Sequence, residues 1–354
     1  MTVIAPQASP SPNSIVVLDT NVWLSTRLLN QPVAAALLFS LRRVGRLIGF
    51  PEVVGMELEK NAVRAGLAAV GQIKKGYDTV AVLMGARDDY RVPSEGDFLK
   101  RLEERVAELK PLLEHVPFTL EHARAALLRV SEGTAPNGPE NQQFKDSAIW
   151  EAVRELALTG RPVDLITRDG GFYENRDARK GLASSLRVEC ERDNMSIRVF
   201  PNVDAYLASL KQEVPAFDVT SVTNRIAETI GEALRSHAEA RGFELGALET
   251  HKLSAYVTKR SNTLALSWTL LYEGFDPSDP TQPDVVGDRV LVRGTSYFDY
   301  ATNALSEVQT QAIEYRKANG ELVAPKSQQT HWLSAAFFGG RGTVRHQFKE
   351  LVDL

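Results

Sequence analysis

Ile15-Val16-Val17-Leu18-Asp19-Thr20-Asn21-Val22-Trp23 is the stretch that decides the fold. Four apolar, mostly β-branched residues run into an aspartate, and Thr and Asn then lead into a helix-like pattern. Such a run predicts a buried parallel strand whose C-terminal end presents a carboxylate. In open α/β sheets that edge is where ligands and chemistry gather.

Outward from this stretch, Arg46–Phe50, Val163–Thr167 and Ser196–Phe200 read as three further short strands. Pro51 suits the first turn of a helix, Gly160-Arg161-Pro162 is a turn signal, and Pro201-Asn202 opens a helix through Leu210. Strands separated by helices imply parallel pairing with helices on both sheet faces. The expected fold is therefore α/β, a Rossmann-like parallel sheet over residues 15–213 with a helical insertion at 60–140. Inside the insertion, Asn61–Val82, Phe98–His115 and Thr119–Val130 carry helix-spaced apolar residues, and Gly133–Pro139 reads as a loop. The insertion is expected either as a solvated layer over one sheet edge or as a clamp at the substrate's way in. His115 and His122 are expected to be exposed helix residues.

Beyond Gln212–Asp218 the pattern changes. Val219–Arg241 reads as one amphipathic helix, with Ile226, Ile230 and Leu234 on one side. Period-two alternation follows: Leu264, Leu266, Trp268, Leu270 and Tyr272 point one way, Thr263, Ala265, Ser267 and Thr269 the other. Lys252–Arg260, Arg289–Tyr300 and Val308–Tyr315 look like further strands, and Asp276–Asp284 like a loop. Residues 219–354 are thus expected to form a smaller α+β domain with an antiparallel sheet and no catalytic motif, serving oligomerisation or target recognition. Residues 1–14 are Pro/Ser-rich, expected as a disordered tail without the features of a signal peptide.

Composition narrows the function. A net charge of −4 argues against a large surface that coats nucleic acid non-specifically. It leaves room for an acidic, metal-filled centre with a local basic rim. The single cysteine, Cys190, excludes an internal disulfide and is expected as a small buried residue in a reducing, cytoplasmic setting. No apolar run is long enough for a bilayer, so no membrane partner is expected.

The acids carry the chemistry. At about 100° per residue, Glu57 falls inside the arc of Val53, Val54, Leu58 and Ala62, whereas Glu52 and Glu59 project to the solvent side. An unpaired buried carboxylate is costly, so Glu57 either pairs with a basic side chain or shares a cation. On the helix Phe144–Thr159, Ile149, Trp150, Val153, Leu156 and Ala157 form the apolar stripe, with Ser147, Glu151, Arg154 and Glu155 on the polar side. Asp146 sits near the middle of that stripe, one turn earlier. A helix N-terminus tolerates an exposed Asp; a shared cation accounts for one aimed inward. Asp169, just past the third strand and before Gly170-Gly171, is either a turn former or a ligand. Asp164, within the strand, is less well placed.

Asp19, Glu57, Asp146 and Asp169 cannot be packed close together without a counter-charge. Oxygen-only ligation without His or Cys suits Mg²⁺ or Mn²⁺ over Zn²⁺, and such a carboxylate cage serves phosphodiester hydrolysis. A phosphatase of the haloacid-dehalogenase kind needs a second Asp two residues after the first, where this chain has Asn21. An Asp-x-Ser-x-Ser metal-adhesion site fails because Asn21 and Trp23 replace the serines.

Four segments together resemble PIN-domain nucleases, the family that includes VapC-type toxins and is related to flap endonucleases. They are Val17–Asn21, Pro51–Leu58, Lys145–Ile149 and Ile166–Phe172. Ile197–Leu210 looks like the end of that fold, so the resemblance covers roughly the first 210 residues. It implies a metal-dependent endonuclease, usually acting on RNA, with Asp19, Glu57, Asp146 and Asp169 as catalytic metal ligands and Thr20 or Asn21 supporting them. The expected partner is nucleic acid, single-stranded or structured RNA favoured over DNA, with a homo-oligomer and a protein inhibitor left open. Lys145, Arg168, Arg176, Arg179 and Lys180 flank the third and fourth acids and either hold phosphates or are solvated surface charge. The insertion between Glu57 and Asp146 is longer than in compact toxins of the family, which leaves substrate and dimer mode open. The alternative is a catalytically silent PIN fold acting as an RNA-binding or scaffold protein.

Overall fold

The computed structural model describes residues 13–85, 92–138, 142–240, 242–275 and 288–316. Most of the expected 1–14 tail, the Asp276–Asp284 loop and residues 317–354 of the expected second domain lie outside the described residues. The chain divides into two compact units, Met1–Gln212 and Glu213–Leu354.

In the first unit, β1 (Ile15–Leu18) leads into α1 (Thr20–Ser25), α2 (Pro32–Arg43), β2 (Ile48–Pro51) and the long α3 (Glu52–Met84). Then follow α4 (Glu95–Leu109), β3 (Leu113–Val116), α5 (Leu120–Glu132), α6 (Phe144–Leu158), β4 (Val163–Ile166), α7 (Ser184–Arg192), β5 (Ile197–Phe200) and α8 (Val203–Ser209). The five strands form one sheet in the order β3-β2-β1-β4-β5, and every pairing in it is parallel. The expected parallel sheet is therefore present. Strand order reverses between β1 and β4, and the crevice at their carboxyl ends is where an open sheet of this kind binds ligands. β1, β2 and β4 are buried throughout, as strands covered on both faces must be.

The sequence reading missed one strand and misplaced two histidines. Phe98–His115 is not one helix: α4 stops at Leu109, and Leu113–Val116 is the edge strand β3, with His115 in it. Four residues containing Glu and His have no apolar run to announce a strand; pairing with β2 imposes it. His122 is not exposed. It is buried on α5, its Nε2 2.9 Å from Glu155 Oε2. The expected polar side of α6 is likewise partly internal, because Ser147 and Glu151 are buried. Arg129 Nε lies 2.5 Å from Glu151 Oε1, and Arg129 Nη1 2.7 Å from Glu189 Oε1. Arg154 bonds Glu151 at 2.7 Å and Asp193 at 2.9 Å. This ion network joins α5, α6 and α7, which sequence periodicity on any single helix cannot show. Glu52, placed on the solvent side of α3, is half-buried and accepts the Phe118 backbone N–H at 2.8 Å.

The second unit packs α9 (Val219–Glu239) on one face of an antiparallel meander, β6 (Glu244–Val257), β7 (Thr263–Phe275), β8 (Asp288–Asp299) and β9 (Ala304–Arg316). Val222, Ile226, Ile230, Leu234 and Ala238, four residues apart, form the buried stripe of α9. They meet the period-two set Leu264, Leu266, Trp268, Leu270 and Tyr272 of β7. Gly294 makes this packing possible, since a Cβ there would lie 2.1 Å from the Trp268 ring. Among the described residues, no helix is long and apolar enough to cross a membrane.

Candidate active site

Topology brings the four acids to one edge of the first sheet. Asp19 follows β1 directly, and Asp169 lies just beyond β4, the strand paired with β1 through Leu18 and Ile166. Glu57 sits in the second turn of α3, the helix that leaves β2. Asp146 sits in the first turn of α6, whose chain then runs on to β4, so its N-terminus returns to the same edge.

Their side chains are held by a small set of polar contacts. Thr167 Oγ1 donates to Asp19 Oδ2 at 2.8 Å and accepts the Asp169 backbone N–H at 3.0 Å, linking the two strand-end acids. Tyr173 donates its hydroxyl to the Thr167 carbonyl at 2.8 Å. Thr20, itself buried, donates to Glu57 Oε2 at 2.9 Å. Lys145 donates to Glu57 Oε1 at 2.7 Å. Asp169 accepts the Gly171 N–H at 2.6 Å and the Gln143 side-chain amide at 3.0 Å.

Electrostatics show that the acids share a field. Burial pushes Asp19 up to about 6; hydrogen bonds from Thr167 and Thr20 oppose the rise, and the charges of Asp169 and Glu57 add to it. Burial likewise pushes Asp146 up to about 7, with repulsion from Asp169, Asp19 and Glu57 adding to the shift. Glu57 behaves differently. Burial acts to raise it, but the bonds from Lys145 and Thr20 outweigh burial and hold it below the usual carboxylate range. The ammonium of Lys145 is a cation already placed on one of the four acids, so the pairing with a basic side chain left open for Glu57 is realised.

As they stand, the side chains are not a finished cage: among the described residues, no three or more of His, Cys, Asp and Glu are arranged to hold a metal ion. The donor set nevertheless fits a hard divalent cation, because all four are carboxylates. Two of them, Asp19 and Asp146, are raised partly by the charge of neighbouring acids, which a cation relieves.

Of the other expected residues, Asn21 is exposed, unlike Thr20. Arg168, Arg176, Arg179 and Lys180 are also exposed, and Arg179 pairs with Asp177 at 2.7 Å. Asp164 is fully buried within the sheet and pairs with Arg198 at 2.7 Å, away from the carboxyl edge. The reading of the sequence did not single out Thr167 or Gln143. Thr167 stands inside a quoted motif, but only the β1–β4 register sets it beside Asp19.

Residues 16–172 match the family model of the PIN domain. The N-terminal unit carries a PIN domain. No curated protein and no solved structure matches the chain. The PIN match ends at Phe172, so α7, β5, α8 and the second unit lie beyond it. It takes in β1, β2 and β4 and all four acids. PIN domains are generally nucleases that use divalent metals, so this unit has a nuclease-type fold.

Proposed function

We propose that the protein is a metal-dependent endonuclease that cleaves RNA in preference to DNA. Asp19, Glu57, Asp146 and Asp169 would hold Mg²⁺ or Mn²⁺. The observation that carries this reading is the convergence of four carboxylates at the reversal of strand order, two of them with strongly raised pKa values. A divalent ion bound there supplies Lewis-acid polarisation of the phosphoryl group and acidifies water. The chain's own residues supply orientation. Thr167 fixes the Asp19 carboxylate, Thr20 fixes one Glu57 oxygen, and the exposed Arg168, Arg176, Arg179 and Lys180 offer charge to backbone phosphates. In this reading residues 15–213 form the nuclease domain, and residues 219–354 serve target recognition or self-association.

The test is a panel of single-stranded and structured RNAs and DNAs incubated with Mn²⁺, Mg²⁺ or EDTA. Metal-dependent cuts, stronger on RNA, are expected. Metal binding by calorimetry without cleavage of any substrate would favour the alternative of a silent RNA-binding or scaffold PIN fold.

A second expectation concerns Lys145. Its ammonium competes with a divalent cation for Glu57, so Lys145→Met is expected to tighten Mn²⁺ binding by roughly threefold to tenfold. The half-exposed position of the lysine limits the effect. If Lys145 also steadies a phosphate, the same variant raises KM for RNA. Unchanged Mn²⁺ affinity by calorimetry would show that the ammonium leaves Glu57 at no cost.

A further inference from the structure

The loop before α6 contains polar groups whose use the carboxylate centre does not by itself explain. Gln143 is the residue that opens α6, yet its side chain makes no capping bond to that helix. Instead Nε2 reaches across to donate to Asp169 Oδ2, while the backbone N–H of Gly171 donates to Asp169 Oδ1. The backbone of Gln143 is itself tied down, its N–H donating to Asn137 Oδ1 at 2.6 Å. Asn137 Nδ2 in turn donates to Ser147 Oγ at 2.7 Å, next to Asp146, and to the Thr134 carbonyl at 3.1 Å. Ser147 Oγ returns a bond to the Gln143 carbonyl at 3.0 Å. Asn137 and Ser147 are buried, so these bonds are shielded from water and each partner is costly to leave unpaired.

The same loop lies directly on the turn that carries Asp169. A Cβ on Gly171 would come within 2.1 Å of the Pro136 carbonyl oxygen, so only glycine lets the two backbones meet. Arg129 Nη1 pins the adjacent Ala135 carbonyl at 3.2 Å. The start of α6, which supplies Asp146, and the turn after β4, which supplies Asp169, are therefore joined through one short segment.

We propose that Asn137 and Gln143 form a brace that sets the separation of Asp146 and Asp169, making Gln143 a positioning residue of the metal centre. The proposal rests on the nuclease reading above. A residue that only caps a helix would bond that helix; Gln143 spends its amide on the acid of a different element. Its amide oxygen is buried without a hydrogen-bond partner among the described residues. Gln143→Leu removes this orphaned acceptor together with the donor to Asp169, so a positioning role and a structural role predict different results.

The experiment measures Mn²⁺ affinity by calorimetry and the EDTA-treated melting temperature for the full chain, in wild type, Gln143→Leu, Asn137→Ala and Asp146→Asn. For Gln143→Leu the metal-free melting temperature is expected to stay at the wild-type value while Mn²⁺ binding weakens roughly tenfold to a hundredfold, as for other groups that orient metal ligands. Asn137→Ala is expected to weaken Mn²⁺ binding through the same chain of bonds, and the double variant to bind no worse than the weaker single one. Wild-type Mn²⁺ affinity in Gln143→Leu, or a lowered metal-free melting temperature with affinity intact, overturns the brace and leaves the nuclease reading standing. If wild type and Asp146→Asn both fail to bind Mn²⁺, the nuclease reading falls and takes the brace with it.

Discussion

Asp146→Asn is expected to abolish metal-dependent cleavage while leaving the metal-free protein as stable as wild type or slightly more so. The change keeps the size of the side chain and removes one negative charge. Burial opposes that charge first, and Asp169, Asp19 and Glu57 oppose it next. Removing it therefore relieves the folded state when no cation is present. The same removal takes away a ligand, and loss of a group aimed at the charge of a transition state commonly lowers rate by about 10²–10³-fold or more. The checks are cleavage of the preferred RNA with Mn²⁺ and the melting temperature in EDTA. Marked unfolding of the metal-free variant would mean that Asp146 serves a structural pair, which the first turn of α6 does not show.

The second large effect lies away from the centre. Arg129→Met is expected to destabilise the first unit by about 3–5 kcal/mol, because it leaves the buried Glu151 and the largely buried Glu189 without their main counter-charge. Arg154 retains contact with both acids but cannot replace the paired bonds that Arg129 makes. The loss is to be read from the urea midpoint and from amide exchange in α5, α6 and α7. An unchanged midpoint would show that the network adds nothing over an apolar contact of the same size. The sign of the pH dependence follows from Glu189. Burial acts to raise its pKa, yet the hydrogen bond and charge of Arg129 prevail and hold it below 4.5. Its contribution is therefore fully present above the unfolded pKa and lost as pH falls through the lower, folded value. Wild type is expected to lose stability steeply only below about pH 4.5, and Arg129→Met to show a shallower acid limb. Because Arg129 also holds the Ala135 carbonyl, its loss is expected to loosen the loop that carries Asn137.

The sequence by itself determined the parallel sheet of the first unit and the antiparallel sheet of the second. A strand buried on both faces is written as a continuous apolar run, as in Ile15–Leu18 and Val163–Ile166. A strand with one covered face is written as alternation, as in Leu264–Tyr272. Both patterns follow from the two-residue period of a strand, so no tertiary knowledge is needed to read them. The candidate acids were legible for the same reason: a carboxylate at a strand end or on an inward helix face is out of place unless something balances it.

Tertiary structure alone decided the remainder. β3 is a strand because β2 offers it an edge, not because Leu113-Glu114-His115-Val116 favours one. His122, Ser147 and Glu151 are internal because α5 and α7 close over α6, which no single-helix pattern encodes. Thr167 reaches Asp19 across 148 positions, and Gln143 reaches Asp169 from the start of another element. Partners that distant in sequence are set by register and packing, since a hydrogen bond depends on where two elements meet and leaves no periodic trace in either.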